Sequence, residues 1–287
     1  MTLPESSGRV YVVATPIGNL EDVSPRAVRI LQEVSLIACE DTRHTARLCT
    51  RFGIGTRRVS LHAHNEARRV PGLLERLRAG ESIALVSDAG TPLLSDPGAR
   101  LVRAASEAGV PVVPVPGASA VLAALVASGL PTSTFSFLGF PPRRGGARRD
   151  WLASAARAPG TLVIFEAPAR AAATLHDLHE ALGPRRAAIA RELTKRFEEI
   201  VRGRLGEIEP VETRGEMTLV VEGADPEDRG AVGDEAVEAL IRSGLDEGGS
   251  PRDVAAEVAE RTGRRRSDVY PRVLALRGDG DGDGEEV

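Results

Sequence analysis

The chain has 287 residues, 42% of them hydrophobic, with 37 basic against 41 acidic side chains. That length holds two or more domains and that hydrophobic share fills real cores, while no stretch approaches 18 consecutive apolar residues, which excludes a membrane-spanning helix. The opening MTLPESSGR lacks the basic and apolar segments of a signal peptide, and Cys39 and Cys49 are spaced as neither a redox pair nor a zinc half-site, so structural thiols in a cytoplasmic protein are expected.

Strands and helices alternate from the start. VYVVA (10 to 14) reads as a strand, Ser24-Pro25 caps and opens a helix through Val34, LIACE (36 to 40) is a strand, and a helix follows from about Thr42. RRVSLHA (57 to 63), a helix to Leu77, a strand at 83 to 86, a helix over Ala99 to Glu107 and PVVPV (111 to 115) complete a five-strand α/β unit. An Ala-rich helix (118 to 128) opens a second unit, followed by TFSFLGF (134 to 140), an arginine-rich loop, a helix near Trp151, TLVIFEA (161 to 167) and a helix to Leu182. Strands near 187 to 191, 196 to 202 and 217 to 222, joined by short turns, give this unit more antiparallel character. The expected division is a first α/β domain over 9–117, a second over 118–223, a polar linker over 224–233, a small helical module over 234–277 and a disordered acidic tail over 278–287.

Chemistry is suggested first by IALVSDAGTPLLSDPG (83 to 98). An apolar run suited to a doubly covered parallel strand meets Asp88, Gly90, Thr91 and Pro92 at its carboxyl end, where open α/β sheets place ligands. Asp96-Pro97 then reads as an N-cap and first-turn proline for the next helix. A plain tight turn would use the same residues. Five acidic residues lie in the last ten, GDGDGDGEEV. Without them the balance is 37 to 36, so a nucleic-acid face must be a local patch, for which Arg143, Arg144, Arg148, Arg149 and Arg264 to Arg266 are candidates beside the plainer reading of solvated surface. Lys195 is the only lysine.

The common signatures are missing. No GxGxxG, Walker lysine or GxSxG elbow occurs, and His62, His64, His176 and His179 lack carboxylate or thiolate partners at ligand spacing, so no metal is expected.

Eight spaced motifs remain: TPIGNLEDVSPRA (15 to 27), EDTRHT (40 to 45), SDAGTPLLSDPG (87 to 98), PVPGASA (114 to 120), FLGFPPR (137 to 143), FEAPAR (165 to 170), ELTKRFEE (192 to 199) and GEMTLVVEG (215 to 223). In order, from about Arg9 to Gly223, they resemble the small-subunit ribosomal RNA methyltransferases of the tetrapyrrole methylase-like, class III group. The resemblance implies two α/β domains with S-adenosylmethionine in the cleft between them and a homodimer. It also implies 2'-O-methylation of a cytidine in the decoding region of 16S rRNA in the small ribosomal subunit. The family often reads FYESPHR where this chain has FEAPAR, so Ala169 stands where a histidine is usual and Phe165-Glu166 lacks the intervening tyrosine.

Methyl transfer from a sulfonium is an in-line displacement with a neutral leaving group, so alignment and exclusion of water are the main tasks. Small and rigid residues suit a cofactor pressed against backbone: Pro16, Ile17 and Gly18 after the first strand, Asp88, Gly90, Thr91 and Pro92 after the fourth, and Ser119 and Ala120 at the domain junction. The resemblance places Ile17, Asp88, Thr91, Ser119 and Ala120 in the cofactor pocket. A ribose hydroxyl is a weak acid and calls for a base, with Lys195 one candidate and the group Asp41, Arg43 and His44 the other. Asp41 also reads as a helix N-cap and Lys195 as half of an ion pair. Methylation of a tetrapyrrole ring and a non-enzymatic role in rRNA assembly are the alternatives; the basic segment RRGGARR (143 to 149) suits phosphates better than a macrocycle.

Overall fold

In the computed structural model, which describes residues 8–210, 214–224, 234–262 and 264–278, the apolar runs of the first third assemble into one parallel sheet. Its strands are β1 (Val10–Val13), β2 (Leu36–Cys39), β3 (Arg58–Ser60), β4 (Ile83–Val86) and β5 (Val112–Val115), in the order β3-β2-β4-β1-β5. Every residue of β2 and β4 is buried, as interior strands covered on both faces require. Helices α1 (Pro25–Glu33) and α2 (Thr42–Arg51) bring Leu31 and Leu48 to one face, and α3 (Glu66–Arg78) and α4 (Ala99–Glu107) bring Leu77 and Leu101 to the other.

Local chemistry sets most of these boundaries. Ser24 Oγ accepts from Ala27 N at 3.1 Å with Pro25 opening α1, and the Asp41 carboxylate accepts from Arg43 N at 2.8 Å at the start of α2. The strand expected over 57 to 63 stops at Ser60, because Asn65 Oδ1 takes the His62 N–H at 3.0 Å and folds the chain into a turn. A second correction concerns α4. Its N-cap is Gly98 at φ +116°, not Asp96, and the cap comes from α3, where Glu66 Oε1 accepts from Gly98 N at 3.1 Å and Arg100 N at 2.9 Å.

After α5 (Ala120–Ser128) a second sheet is built from β6 (Phe135–Phe137), β7 (Thr161–Glu166), β8 (Arg186–Arg191), β9 (Glu199–Arg204) and β10 (Met217–Val221). The order is β6-β7-β10-β8-β9, with β6 parallel to β7 and the other pairs antiparallel. The α5 side carries Val163, Val220 and Leu125, while α6 (Gly146–Arg157) and α7 (Pro168–Leu182) cover the opposite face with Leu175 and Leu178. The strand expected at 196 begins three residues later, at Glu199. Glu192 and Thr194 take left-handed backbone at φ 51° and 66°, and Lys195 N donates to Glu192 O at 2.9 Å, which closes a turn where a strand was read.

Helices α8 (Asp234–Asp246), α9 (Pro251–Thr262) and α10 (Arg266–Gly278) share a core of Val237, Ile241, Val254, Val258, Val269 and Val273. Residues 225–233 of the expected linker and 279–287 of the acidic tail lie outside the described residues. Among the described residues no helix is long and apolar enough to cross a membrane.

Candidate active site

The loops after β1 and β4 are stitched together at the carboxyl ends of the parallel strands. Thr15 N donates to Gly90 O at 2.9 Å and Gly90 N to Thr15 O at 3.0 Å. Gly90 stands at φ +76°, and a Cβ there would press to 3.2 Å on Ile17 Cγ2, so glycine brings the loops this close without strain. Leu93 and Ser95 also hold positive φ, 77° and 69°, a backbone cost that concentrates at ligand sites. Thr91 Oγ1 donates to Ala118 O at 3.2 Å and ties the turn to the domain junction, where Ser119 caps α5.

Between these loops and the second sheet lies a cavity of about 280 Å³. Of the residues expected to hold the cofactor, Ile17, Gly90, Thr91, Ser119 and Ala120 line it. The facing wall comes from the second domain, and none of its residues was expected from the sequence to hold the cofactor: Phe140, Phe165, Glu166, Met217 and Thr218. Phe165 packs edge-on against Phe137 at 4.8 Å and tilted against Phe140 at 5.5 Å between ring centroids, which makes one side of the cavity aromatic and apolar. Glu166 is buried and committed, its carboxylate accepting from Ala167 N at 2.7 Å, Thr174 Oγ1 at 2.5 Å and Arg170 Nη2 at 2.5 Å. Ala169, at the family's histidine position, is exposed and lines no part of this cavity.

A second cavity, also about 280 Å³, adjoins the first and shares Ile17, Ala89 and Glu216 with it. Pro16, Gly18 and Asp88 line this one, together with His44, Arg47 and Lys195, whereas Pro92 is buried and lines neither. The stem of Lys195 lies directly on Gly18, where a Cβ would collide with Lys195 Cγ. Asp88 Oδ1 is 3.8 Å from His44 Nδ1.

Of the candidate bases, Lys195 and Asp41 are each held in the charged form by a partner. Burial pulls the Lys195 pKa down, but Glu192 at 2.9 Å and Glu216 at 3.1 Å outweigh it and the net shift is upward, which keeps the ammonium charged. The Arg43 side chain, hydrogen-bonded to Asp41 at 2.8 Å, holds that carboxyl down at about 2. Asp96, on the first cavity, moves the other way. Burial first, then Glu40 and Asp88 nearby, push it up to about 6.

In the arginine loop, Arg143, Arg144 and Arg149 are exposed. Arg148 is spent on structure, its guanidinium donating to Asp177 at 2.7 Å, Pro142 O at 2.9 Å and Thr174 Oγ1 at 3.1 Å. Among the described residues no group of three or more His, Cys, Asp or Glu side chains is placed to hold a metal ion.

The residues of the first cavity fit S-adenosylmethionine. Phe140 and Phe165 offer apolar rings against which adenine can pack, Asp96 and Glu216 offer carboxylates to a cationic ligand, and the glycine at 90 keeps backbone groups within reach.

Comparison with known proteins identifies the family. The family described as Tetrapyrrole (Corrin/Porphyrin) Methylases matches residues 9–209, and the RsmI C-terminal HTH domain matches residues 231–277. A relative from Synechocystis sp., named ribosomal RNA small subunit methyltransferase I, is 46% identical over 95% of this chain and 100% of its own length. A relative of the same name from Micromonospora olivasterospora is 49% identical over 93% of this chain and 87% of its own. Among solved structures, uroporphyrin-III C-methyl transferase from Thermus thermophilus, complexed with S-adenyl homocysteine, is 25% identical with a TM-score of 0.53, over 75% of this chain and 97% of that one. The chain therefore belongs to the ribosomal RNA small subunit methyltransferase I family, within the tetrapyrrole methylases.

Proposed function

We propose that the chain is an S-adenosylmethionine-dependent methyltransferase of small-subunit ribosomal RNA, acting on the ribose 2'-hydroxyl of a cytidine in the decoding region. The observation that carries this reading is the pair of adjoining cavities at the strand ends, divided by Ile17, Ala89 and Glu216. One suits the donor and the other an acceptor whose phosphates can meet Arg47, His44 and Lys195. The relatives' shared name supports the RNA substrate, and the C-terminal helical module gives it additional surface.

When bound, S-adenosylmethionine supplies an electrophilic methyl group whose departure leaves a neutral thioether. The chain's own residues then have three tasks. The stitched Thr15 and Gly90 loops fix the donor wall, the Phe137, Phe140 and Phe165 cluster excludes water, and Lys195, held charged by its two carboxylates, presents a cation to the acceptor side. Asp88, a carboxylate facing the second cavity, is positioned to take the hydroxyl proton as the new O–C bond forms.

The homodimer fits α5, which carries no charged residue and exposes Leu122 at 52% and Val126 at 72%, one turn apart, as a second copy would cover them. A ribosomal substrate makes the cytoplasm its place of work. The test is transfer of labelled methyl to purified small subunits, followed by nucleoside analysis. Label on a cytidine ribose is expected; label on a base, or none with cofactor bound, overturns the reading.

A further inference from the structure

Phe197 is 65% exposed, more than Phe140 at 53% or Phe135 at 40%, in a chain with only six phenylalanines. The loop that carries it is firmly tied. Glu192 N donates to Glu216 O at 3.0 Å, Thr194 N to Glu198 Oε2 at 2.6 Å, and Glu198 N to Lys195 O at 3.1 Å. Left-handed backbone at Glu192 and Thr194 is a conformation that non-glycine residues hold only under constraint from their surroundings. Two residues before the ring, Lys195 lines the acceptor cavity and rests on Gly18. The Arg196 guanidinium lies over the ring at 5.5 Å from its centroid.

An exposed aromatic beside a cation, on a tied loop whose Lys195 two residues earlier lines the acceptor cavity, is a combination suited to an unpaired base. The ring stacks on a base face, which every base has, and the guanidinium meets a phosphate. A base inside a duplex already has both faces covered. We propose that Phe197 is the stacking platform for an unpaired RNA base next to the reacting nucleotide, with Arg196 on the adjoining phosphate. The inference rests on the RNA reading above and adds that the target segment must be single-stranded where it is held.

The test is steady-state methylation of small subunits by the full-length protein and its Phe197→Ala, Phe197→Trp and Phe197→Leu variants. Loss of one base stack predicts a KM for the subunit raised about tenfold in Phe197→Ala, with kcat and cofactor affinity little changed. Phe197→Trp restores KM and Phe197→Leu does not. An unchanged KM in Phe197→Ala, or rescue by leucine as complete as by tryptophan, overturns the stacking role. So does dissociation of Phe197→Ala in sedimentation, which would make the ring a subunit contact. A wild-type protein that binds cofactor but transfers no methyl to the subunit overturns the RNA reading itself, and the platform with it.

Discussion

Asp88 Oδ1 accepts the backbone N–H of Asp41 at 3.0 Å, so the turn after β4 holds the start of α2 in place. The carboxylate thereby fixes two sides of the second cavity while its own face remains open to an acceptor. Asp88→Ala is expected to lower kcat about a hundredfold, the scale on which misplacing a reacting group is felt. Asp88→Asn keeps an acceptor oxygen for Asp41 N and should fold as the parent does, yet turn over poorly. Normal turnover in Asp88→Asn would remove the charge from the mechanism; the measurement is single-turnover methylation.

Asp96 carries a pH dependence of defined sign. Its pKa rises from 3.8 unfolded to about 6 folded, so folding favours its protonated form. The stabilisation is complete below the unfolded value and is lost as pH rises through the folded one. Asp96→Asn, which mimics the protonated carboxyl, should therefore raise the melting temperature more at pH 8 than at pH 5. The side chain is only partly buried, and after discounting for solvent screening the gain is about 1 kcal/mol. Equal melting shifts at both pH values would contradict the assignment.

Glu166 is buried with Arg170, Thr174 and the Ala167 N–H all donating to it. Glu166→Gln removes the charge and leaves Arg170 partly buried without its counter-ion. A loss of about 3 kcal/mol is expected, at the lower end for such pairs because Arg170 is 32% exposed. Urea denaturation measures it, and an unchanged midpoint would mean that water replaces the carboxylate.

Leu122 and Val126 set a fourth expectation. Arginine at both positions places two charges on the exposed stripe of α5 without touching its buried side, Val121, Ala124 and Leu125. Sedimentation should show the doubly substituted protein at half the mass of the parent, with cofactor binding intact. A parent that is already monomeric would refute the homodimer.

What was legible from sequence is what is local. The caps at Ser24 and Asp41 act within three residues, the runs at β1 and β2 read as strands, and the run at β4 declares a buried parallel strand by composition alone. The cap of α4 was not, because Glu66 acts from 32 residues upstream of Gly98. For Lys195 the sequence offers both a base and half of an ion pair; Glu192, three residues away, is a local partner, and only the fold adds Glu216 at 3.1 Å. The facing wall of the first cavity was hidden because it is assembled by the fold. Phe140, Phe165 and Met217 lie in three separate motifs, and only the order β6-β7-β10 makes them neighbours. Arg148 looked like its neighbours Arg143 and Arg149, and the difference is made by Asp177 on α7.

Ile17 belongs at once to the partition between the cavities and to the apolar layer of Leu125, Val163 and Val220 in the second domain. On the proposed assignment of donor and acceptor, the distance a methyl group must cross then depends on hydrocarbon packing on the far side of the cleft. Warming that loosens this layer will misalign the two reactants while the parallel sheet is still intact, so heat should silence turnover before it unfolds the chain.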